Sequence, residues 1–244
     1  MNIEVCVENS ESIHVVNHSG VERIELCSAL AVGGLTPCYG LLKSAVKIAQ
    51  MPIAMMIRPR AGDFLFSRDE VAMMVDDIQM ARELGVHCVV IGALTERGEI
   101  DIATTQRLVE AAGPMEVTFH RAFDVCANPQ TALETLIDLG CTRLLTSGQA
   151  PSAWLGRELI AKLVDQAHGR ISIMAGAGVS AQNAKDLLAV THADELHLSA
   201  KRFRYSAMAR QSAVAMGKSA DDDQRIMVTD GEELAKLRQS LGLS

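Results

Sequence analysis

The chain has 244 residues, of which 48% are hydrophobic, and it carries a formal net charge of -7 at neutral pH. This acidic balance argues against a general nucleic-acid binder, which normally shows a basic excess, and an aromatic content of 3% leaves few platforms for stacking bases. No apolar run approaches the roughly 20 residues of a membrane span, and the N-terminus shows no basic leader or apolar signal core, so we expect a cytoplasmic protein without membrane partners.

Short β-rich runs alternate with helical patterns along nearly the whole chain. Helix 68–84 is the clearest, because its apolar residues recur at steps of three and four and Ser67 with Glu70 predicts a capping box at its start. Asn128-Pro129 opens another helix, and Ser180 is the predicted cap of helix 181–190. Eight strands are predicted, at residues 3–7, 23–27, 53–58, 88–92, 116–120, 143–146, 172–175 and 195–198. Eight strands that alternate with helices predict an α/β fold, a single (β/α)8 TIM barrel over residues 1–244.

A long segment, residues 199–227, follows the eighth strand and precedes the final helix. A connection of this length is unusual in a compact domain and is often functional. The segment carries Lys201, Arg202, Arg204 and Arg210. The pattern alone leaves open whether it is a functional loop, a solvated basic loop or an oligomer contact.

Polar side chains occupy every second position of several strands that should be buried. In strand 23–27, Arg23, Glu25 and Cys27 alternate with apolar residues. Because the outward strand residues must be apolar to pack under helices, the polar set is predicted to point into the barrel or its mouth. Ligands bind at the C-terminal ends of the strands in this fold, so a site is expected there. An alternative is a structural salt network, in which Arg58 or Arg23 pairs with a carboxylate such as Glu25 or Glu4.

The candidate site residues fall into two groups. His120 and Glu25 are the candidate acid–base residues, with Asp124 either orienting His120 or belonging to the following turn. Candidate anion-binding residues combine fixed charge, hydroxyl and imidazole groups with glycines whose backbone N–H groups can approach a ligand; they are Arg58, Arg60, Thr146, Gly176, Gly178 and His197. We expect Glu25, Arg58, Arg60, His120 and His197 to converge on one pocket near the Gly176–Gly178 turn.

The six cysteines are spread through the chain without paired spacing, which predicts free thiols in a reducing compartment. Cys6 and Cys27 share the inward parity on adjacent strands, so they can approach each other. Soft-metal chemistry needs thiolate or thioether ligands. The spacing of the cysteines does not by itself predict a metal site.

Several longer motifs occur in a fixed order along the chain. They are Arg23-Ile24-Glu25-Leu26-Cys27, Gly33-Gly34-Leu35-Thr36-Pro37, Ile57-Arg58-Pro59-Arg60-Ala61-Gly62-Asp63-Phe64, the 118–124 segment, Leu145-Thr146-Ser147-Gly148 and Met174-Ala175-Gly176-Ala177-Gly178. With residues 213–217, this series resembles the CutC family of copper homeostasis proteins. The resemblance implies a cytoplasmic TIM barrel that forms a homodimer or higher homo-oligomer and binds Cu(I) through cysteines. It makes Cys27, in the Glu-Leu-Cys motif, the first candidate ligand, with Cys6 as the second.

Two functional hypotheses therefore stand side by side. The resemblance implies a copper homeostasis protein with Cu(I) as its ligand. The matched motifs are rich in Arg, His, Asp, Thr and Gly, which suit an anionic organic ligand better than Cu(I). The competing hypothesis is an enzyme that acts on a small phosphorylated or carboxylated metabolite, with His120 as acid or base.

Overall fold

The structure of the protein, a computed structural model, describes residues 1–209, 214–216 and 219–243, so Arg210 and both ends of the 213–217 segment lie outside the described residues. Eight parallel strands close into a barrel in sequence order. The strands are β1 (Asn2–Val7), β2 (Arg23–Leu26), β3 (Ile53–Met56), β4 (Cys88–Ile91), β5 (Glu116–Phe119), β6 (Arg143–Thr146), β7 (Ser172–Ala175) and β8 (Glu195–Leu198). The predicted (β/α)8 barrel is confirmed, although β2 to β5 end one or two residues earlier than the sequence pattern suggested.

Helices cover the outside of the barrel. They are α1 (Ser10–Val16), α2 (Tyr39–Ile48), α3 (Arg68–Glu83), α4 (Ile102–Ala112), α5 (Pro129–Asp138), α6 (Arg157–Ala167), α7 (Ala184–Thr191) and α8 (Gly231–Ser240). The capping box of α3 between Ser67 and Glu70 is present in both directions. Helix α7 starts later than predicted, because the Asn183 side chain accepts from the Ser180 N–H and donates to the Gly178 carbonyl, which holds residues 180–183 in a turn. No helix within the described ranges has the length and apolar character needed to cross a membrane.

The strands sort their side chains as the period-two pattern predicts. Outward residues such as Ile24 and Leu26 are fully buried in the main hydrophobic core. Inside the barrel, Arg23 pairs with Glu4 and Glu195. Arg143 extends this network, with Nε 2.8 Å from Glu195 and Nη2 3.0 Å from Glu116. The lower half of the barrel interior therefore contains a structural salt network around Arg23, the alternative to a ligand site that the sequence pattern left open.

The segment after β8 holds a hairpin. Strand β9 (Lys201–Tyr205) pairs in antiparallel fashion with β10 (Arg225–Thr229), and Lys201 lies opposite Thr229. The pair is tied to α1, since the Arg204 guanidinium lies 2.8 Å from the Glu11 carboxylate. Residues 199–227, predicted as a long loop, therefore contain ordered strand at both ends, and the hairpin sets Lys201 directly beside the end of β8.

Candidate functional site at the C-terminal mouth of the barrel

A cavity of about 590 Å³ opens at the C-terminal ends of the barrel strands. Its walls come from most of the barrel strands and the loops that follow them. The lining residues include Cys6, Glu25, Arg58, Phe64, His120, Gly178, His197 and Lys201. This is the end of the barrel at which the fold places ligands.

Three buried side chains form a compact cluster in this cavity. One ligand atom each of Cys6, Glu25 and His197 lies within 4.8 Å of the others. The register explains the cluster, because Cys6 lies beside Glu25 across β1 and β2. Glu4 lies beside His197 across β1 and β8, and the His197 Nδ1 is 2.8 Å from Glu4 Oε1. Since a carboxylate accepts this bond, Nδ1 carries the proton and Nε2 faces the cluster, 3.8 Å from Glu25 Oε2.

Charges in the cluster depend on one another. Burial alone would raise the pKa of Glu4, but its hydrogen bond to His197 and the charge of Arg23 lower it to about 2. Burial alone would lower the pKa of His197, but the charge of Glu25 and hydrogen bonds to Cys6 and Glu4 raise it well above 6.5. Burial raises the pKa of Glu25 against the attraction of His197. Glu4 is therefore an anion and His197 a cation at neutral pH when no metal is present.

Cys27 lies next to this cluster without being one of its three members. Its thiol donates to Glu25 Oε2 at 3.3 Å, and the side chain is fully buried. Burial, reinforced by the charge of Glu25, raises the pKa of Cys27 well above its usual 9.0. The structure thus places Cys6 among the grouped donor atoms and leaves Cys27, the first candidate from the family motif, behind Glu25.

The surroundings of His120 decide which proton it carries. Its Nδ1 accepts from the Ala122 N–H at 3.1 Å, so the proton of the neutral ring is on Nε2. That Nε2 is buried and finds no hydrogen-bond partner among the described residues. Burial and the charge of Arg58 lower the pKa of His120 to about 3. His120 is therefore a neutral N–H donor, and this pKa does not suit the acid–base role predicted for it.

Asp124 organises the turn after β5 and β6. Its carboxylate accepts from Arg121 Nε at 2.7 Å, from the Ser147 hydroxyl at 2.8 Å and from the Thr146 hydroxyl. The Thr146 hydroxyl also accepts from the Gly148 N–H at 2.9 Å, so both of its hydrogen-bonding roles are in use beneath the cavity wall. Of the two roles considered for Asp124, the structure supports the one in the turn. The His120 ring is oriented by the Ala122 N–H instead of by Asp124.

Arg58 and Arg60 have different environments. The Arg58 guanidinium donates to the carbonyl oxygens of Val32, Gly34 and Gly62 at 2.9 to 3.2 Å, and it lies 4.9 Å from the centre of the Phe64 ring. Its Nε is buried and unpartnered within the described part of the chain.

Arg60 instead pairs with Glu70 and Asp63 outside the cavity. The expected convergence of five residues therefore fails at Arg60. Strand β3 ends at Met56, so the alternation that placed Arg58 and Arg60 on one face does not continue past Pro59.

The turn after β7 contributes backbone to the cavity. Gly176 lies below the wall, where an added Cβ would sit 2.5 Å from Leu145 Cδ1, and its N–H donates to the Thr146 carbonyl at 3.0 Å. Ala177, Gly178 and Val179 line the cavity. Ala177 and Gly178 have φ angles of 78° and 72°, which is rare for alanine. Gly178 thus lines the cavity and its ligand-binding role stays a prediction, whereas Gly176 packs against Leu145 below the wall.

Sequence reasoning missed three residues of the site. Glu4 has the same inward parity as Cys6 and could have been found on β1 as the partner of a histidine. Lys201 was noted only as part of a basic segment, and Phe64 only as the last residue of the motif that begins at Ile57. Each of the three reaches the site because elements distant in sequence lie close together in the barrel, and a local sequence pattern does not contain that information.

The family model described as the CutC family matches residues 1–202. The chain belongs to the CutC family. It is 52% identical over 241 residues to a CutC family protein of Pasteurella multocida and 51% identical over 239 residues to one of Histophilus somni. These alignments cover 99% of both chains in the first case and 98% of both in the second.

A crystal structure of a CutC protein from Streptococcus agalactiae, which carries a copper homeostasis name, is similar in fold. It is 34% identical, with a TM-score of 0.77, and the match covers 81% of this chain and 97% of that chain. The CutC family model ends at Arg202, just inside β9. The family match therefore covers all eight barrel strands and every cavity residue named above, and it confirms the resemblance seen in the motifs.

Proposed function

We propose that the protein serves copper homeostasis by binding Cu(I) at the cluster of Cys6, Glu25 and His197. The observation that carries the proposal is the grouping of a thiol, an imidazole nitrogen and a carboxylate oxygen within 4.8 Å in a buried site. The copper homeostasis name of the Streptococcus agalactiae relative supports it. A cytoplasmic location and a homo-oligomer are proposed with it, and light scattering on the purified protein tests the second.

The donor set can hold a soft ion. Thiolate and imidazole ligands suit both Cu(I) and Zn²⁺, whereas the carboxylate of Glu25 suits Zn²⁺ better than Cu(I). Glu4 accepts from His197 Nδ1 and so fixes the ring with Nε2 toward the cluster, an arrangement that orients metal-bound histidines in proteins. Binding requires Nε2 of His197 and the thiol of Cys6 to lose their protons, so metal and protons compete for the same atoms.

An anaerobic titration with Cu(I) against a chromogenic competitor tests the proposal. About one Cu(I) per chain is expected, and Zn²⁺ titrated under the same conditions should compete for the same site, since all three donors also suit Zn²⁺. Cys6→Ser should weaken Cu(I) binding by more than about tenfold, the loss that accompanies removal of a first ligand or its support. Cys88→Ser is the matched control, since Cys88 is also a buried barrel thiol but lies beside Thr118 on a different strand.

The variant Cys27→Ser shows whether Cu(I) is bound by the cluster that contains Cys6 or by Cys27 of the Glu-Leu-Cys motif. If the three grouped donors bind the ion, this variant should lose less affinity than Cys6→Ser. If Cys27→Ser loses more, the ion is held by the motif cysteine after rearrangement around Glu25. Equal affinities for Cys6→Ser and Cys88→Ser would show that copper binding is adventitious.

A second candidate function, an enzyme acting on a small anionic metabolite, is favoured by one observation. The Glu25 carboxyl has a pKa raised by burial, and it shares the cavity with Arg58. Glu25 rather than His120 would then exchange protons. Native mass spectrometry of freshly purified protein should reveal a bound metabolite, and Glu25→Gln should retain the bound molecule while losing its turnover. A metabolite-free spectrum would remove the support for this candidate.

A further inference from the structure

We propose that the turn of residues 177–179, together with Lys201 and Arg58, forms a binding site for a small organic phosphate in the cavity at the C-terminal mouth. The site is separate from the cluster of Cys6, Glu25 and His197, and the inference does not rest on Cu(I) binding. It makes the cavity a two-part site, with a phosphate subsite on one wall and a cationic subsite on another.

The phosphate subsite begins with backbone donors. The N–H groups of Ala177, Gly178 and Val179 make no hydrogen bond within residues 1–209, 214–216 and 219–243, and all three residues line the cavity. Ala177 and Gly178 both have positive φ angles, in a turn whose three successive N–H groups are unpaired within the described residues. Unpaired backbone N–H groups of a turn at a cavity wall are available to bind an anion. The loops after strands seven and eight are also where barrels of this type place phosphate.

Lys201 supplies positive charge beside this turn. It lines the cavity from the first position of β9, and its ammonium group has no acidic partner in the described part of the chain. Arg121, which lines the same cavity, provides a contrast, because the Asp124 carboxylate already pairs with it at 2.7 Å. A cation without a carboxylate partner at the rim of a cavity is available to an anionic ligand.

Arg58 supplies the second cationic position. The hydrogen bonds of its guanidinium group go to neutral carbonyl oxygens, so its charge is held in place without being cancelled. Among the described residues, neither acidic group of the cavity pairs with Arg58, since Asp124 accepts from Arg121 and Glu25 Oε2 lies 3.8 Å from His197 Nε2. An oxygen-bearing group at the far end of the ligand, such as a carboxylate, suits the Arg58 side.

The size and remaining walls of the cavity set the class of ligand. A volume of about 590 Å³ fits a small metabolite and is within the usual range for ligand sites. Leu30, Val32, Phe64 and Val125 form apolar wall between the polar groups. The expected ligand is a phosphate monoester with a short carbon chain and a second polar end.

Isothermal titration of the metal-free protein in EDTA with three probes tests the inference. The probes are phosphoglycolate, inorganic phosphate and glycolate. Phosphoglycolate should bind most tightly, inorganic phosphate more weakly and glycolate least, because only the first can use both subsites. Equal binding of all three, or binding of none, would overturn the proposal.

Lys201→Met and Arg202→Met form a matched pair, since each removes one positive charge from neighbouring exposed positions of β9 and only Lys201 lines the cavity. Lys201→Met should weaken phosphoglycolate binding by about tenfold or more, the loss expected for one charge-assisted hydrogen bond, and Arg202→Met should not. The same affinity in both variants would overturn the assignment of Lys201.

Arg58→Met should weaken phosphoglycolate more than inorganic phosphate, because it removes the second subsite only. Thermal unfolding without ligand shows whether the loops that Arg58 holds remain folded, and Arg58→Lys provides a charge-retaining variant if they do not. Loss of affinity for both probes to the same extent would contradict the two-part site. Cu(I) affinity measured on Lys201→Met should equal that of the parent protein, so failure of this inference and failure of the copper proposal are distinguishable.

Discussion

Arg23→Met should destabilise the barrel strongly, because Arg23 is the central cation of the network inside it. The side chain is 8% exposed and pairs with both Glu4 and Glu195. Breaking a buried ion pair by removing one partner typically costs about 3–5 kcal/mol, because the remaining charge is left uncompensated. Each carboxylate keeps one other cationic neighbour, His197 for Glu4 and Arg143 for Glu195. We therefore expect a loss at the lower end, about 3 kcal/mol in the free energy of unfolding.

Urea unfolding followed by circular dichroism measures this loss. Arg170→Met is the control, since the pair of Arg170 with Glu134 is exposed and its removal should leave the unfolding midpoint nearly unchanged. A loss below about 1 kcal/mol, the size of a surface pair, would refute the reasoning.

Three further predictions concern the packing and protonation of the two histidines. Gly92→Ala should lower the free energy of unfolding by about 1–3 kcal/mol, because the new Cβ would lie 2.2 Å from His120 Cε1. Gly40→Ala is the control, at an exposed position of α2 with open space around it, and it should raise the free energy of unfolding by up to about 1 kcal/mol. Melting temperatures of Gly92→Ala and Gly40→Ala that shift in the same direction would contradict the packing argument. Since the pKa of His120 is lowered from 6.5 to about 3, the unfolded chain binds a proton that the folded chain excludes between these values, so stability falls as the pH drops through this window. His120→Gln should make that fall shallower in urea midpoints measured across the window, and an identical pH slope would count against a buried neutral imidazole. Because the pKa of His197 is raised well above 6.5 and Cu(I) needs its Nε2 without a proton, Cu(I) affinity should increase as the pH rises through neutrality. Competition titrations at several pH values measure this, and a pH-independent affinity would argue that His197 is not a ligand.

The barrel could be predicted because its signals are local. Period-two alternation in Arg23-Ile24-Glu25-Leu26-Cys27 fixes which side chains face inward whatever the neighbouring strands are. The capping box between Ser67 and Glu70 is likewise complete within four residues. The same alternation failed at Arg60, because it assumed a strand that continues past Met56. The extent of a strand depends on its neighbours, and the sequence of one strand does not contain that information.

The site was predictable only as a region. The inward parity of Glu25, Cys27 and His197 brought them to one end of the barrel, but parity could not choose between Cys6 and Cys27 as the thiol grouped with His197. That choice follows from the register between β1, β2 and β8, which sets Cys6 beside Glu25 and Glu4 beside His197. Side-chain distances of this kind are properties of the closed barrel.

The sequence by itself determined the fold class, the family and the set of polar residues that face the barrel interior, because each of these depends on periodicity or on short motifs. Only the tertiary structure decided the protonation state of those residues and whether their charge is compensated. His120 is a neutral donor because its Nδ1 accepts a hydrogen bond from the Ala122 N–H and because burial lowers its pKa. Arg23 is structural because it pairs with buried carboxylates. Arg58 keeps an uncompensated charge because its guanidinium donates to carbonyl oxygens. The charge and protonation of a buried group are set by its neighbours in space, and these come from strands and loops far apart in the chain.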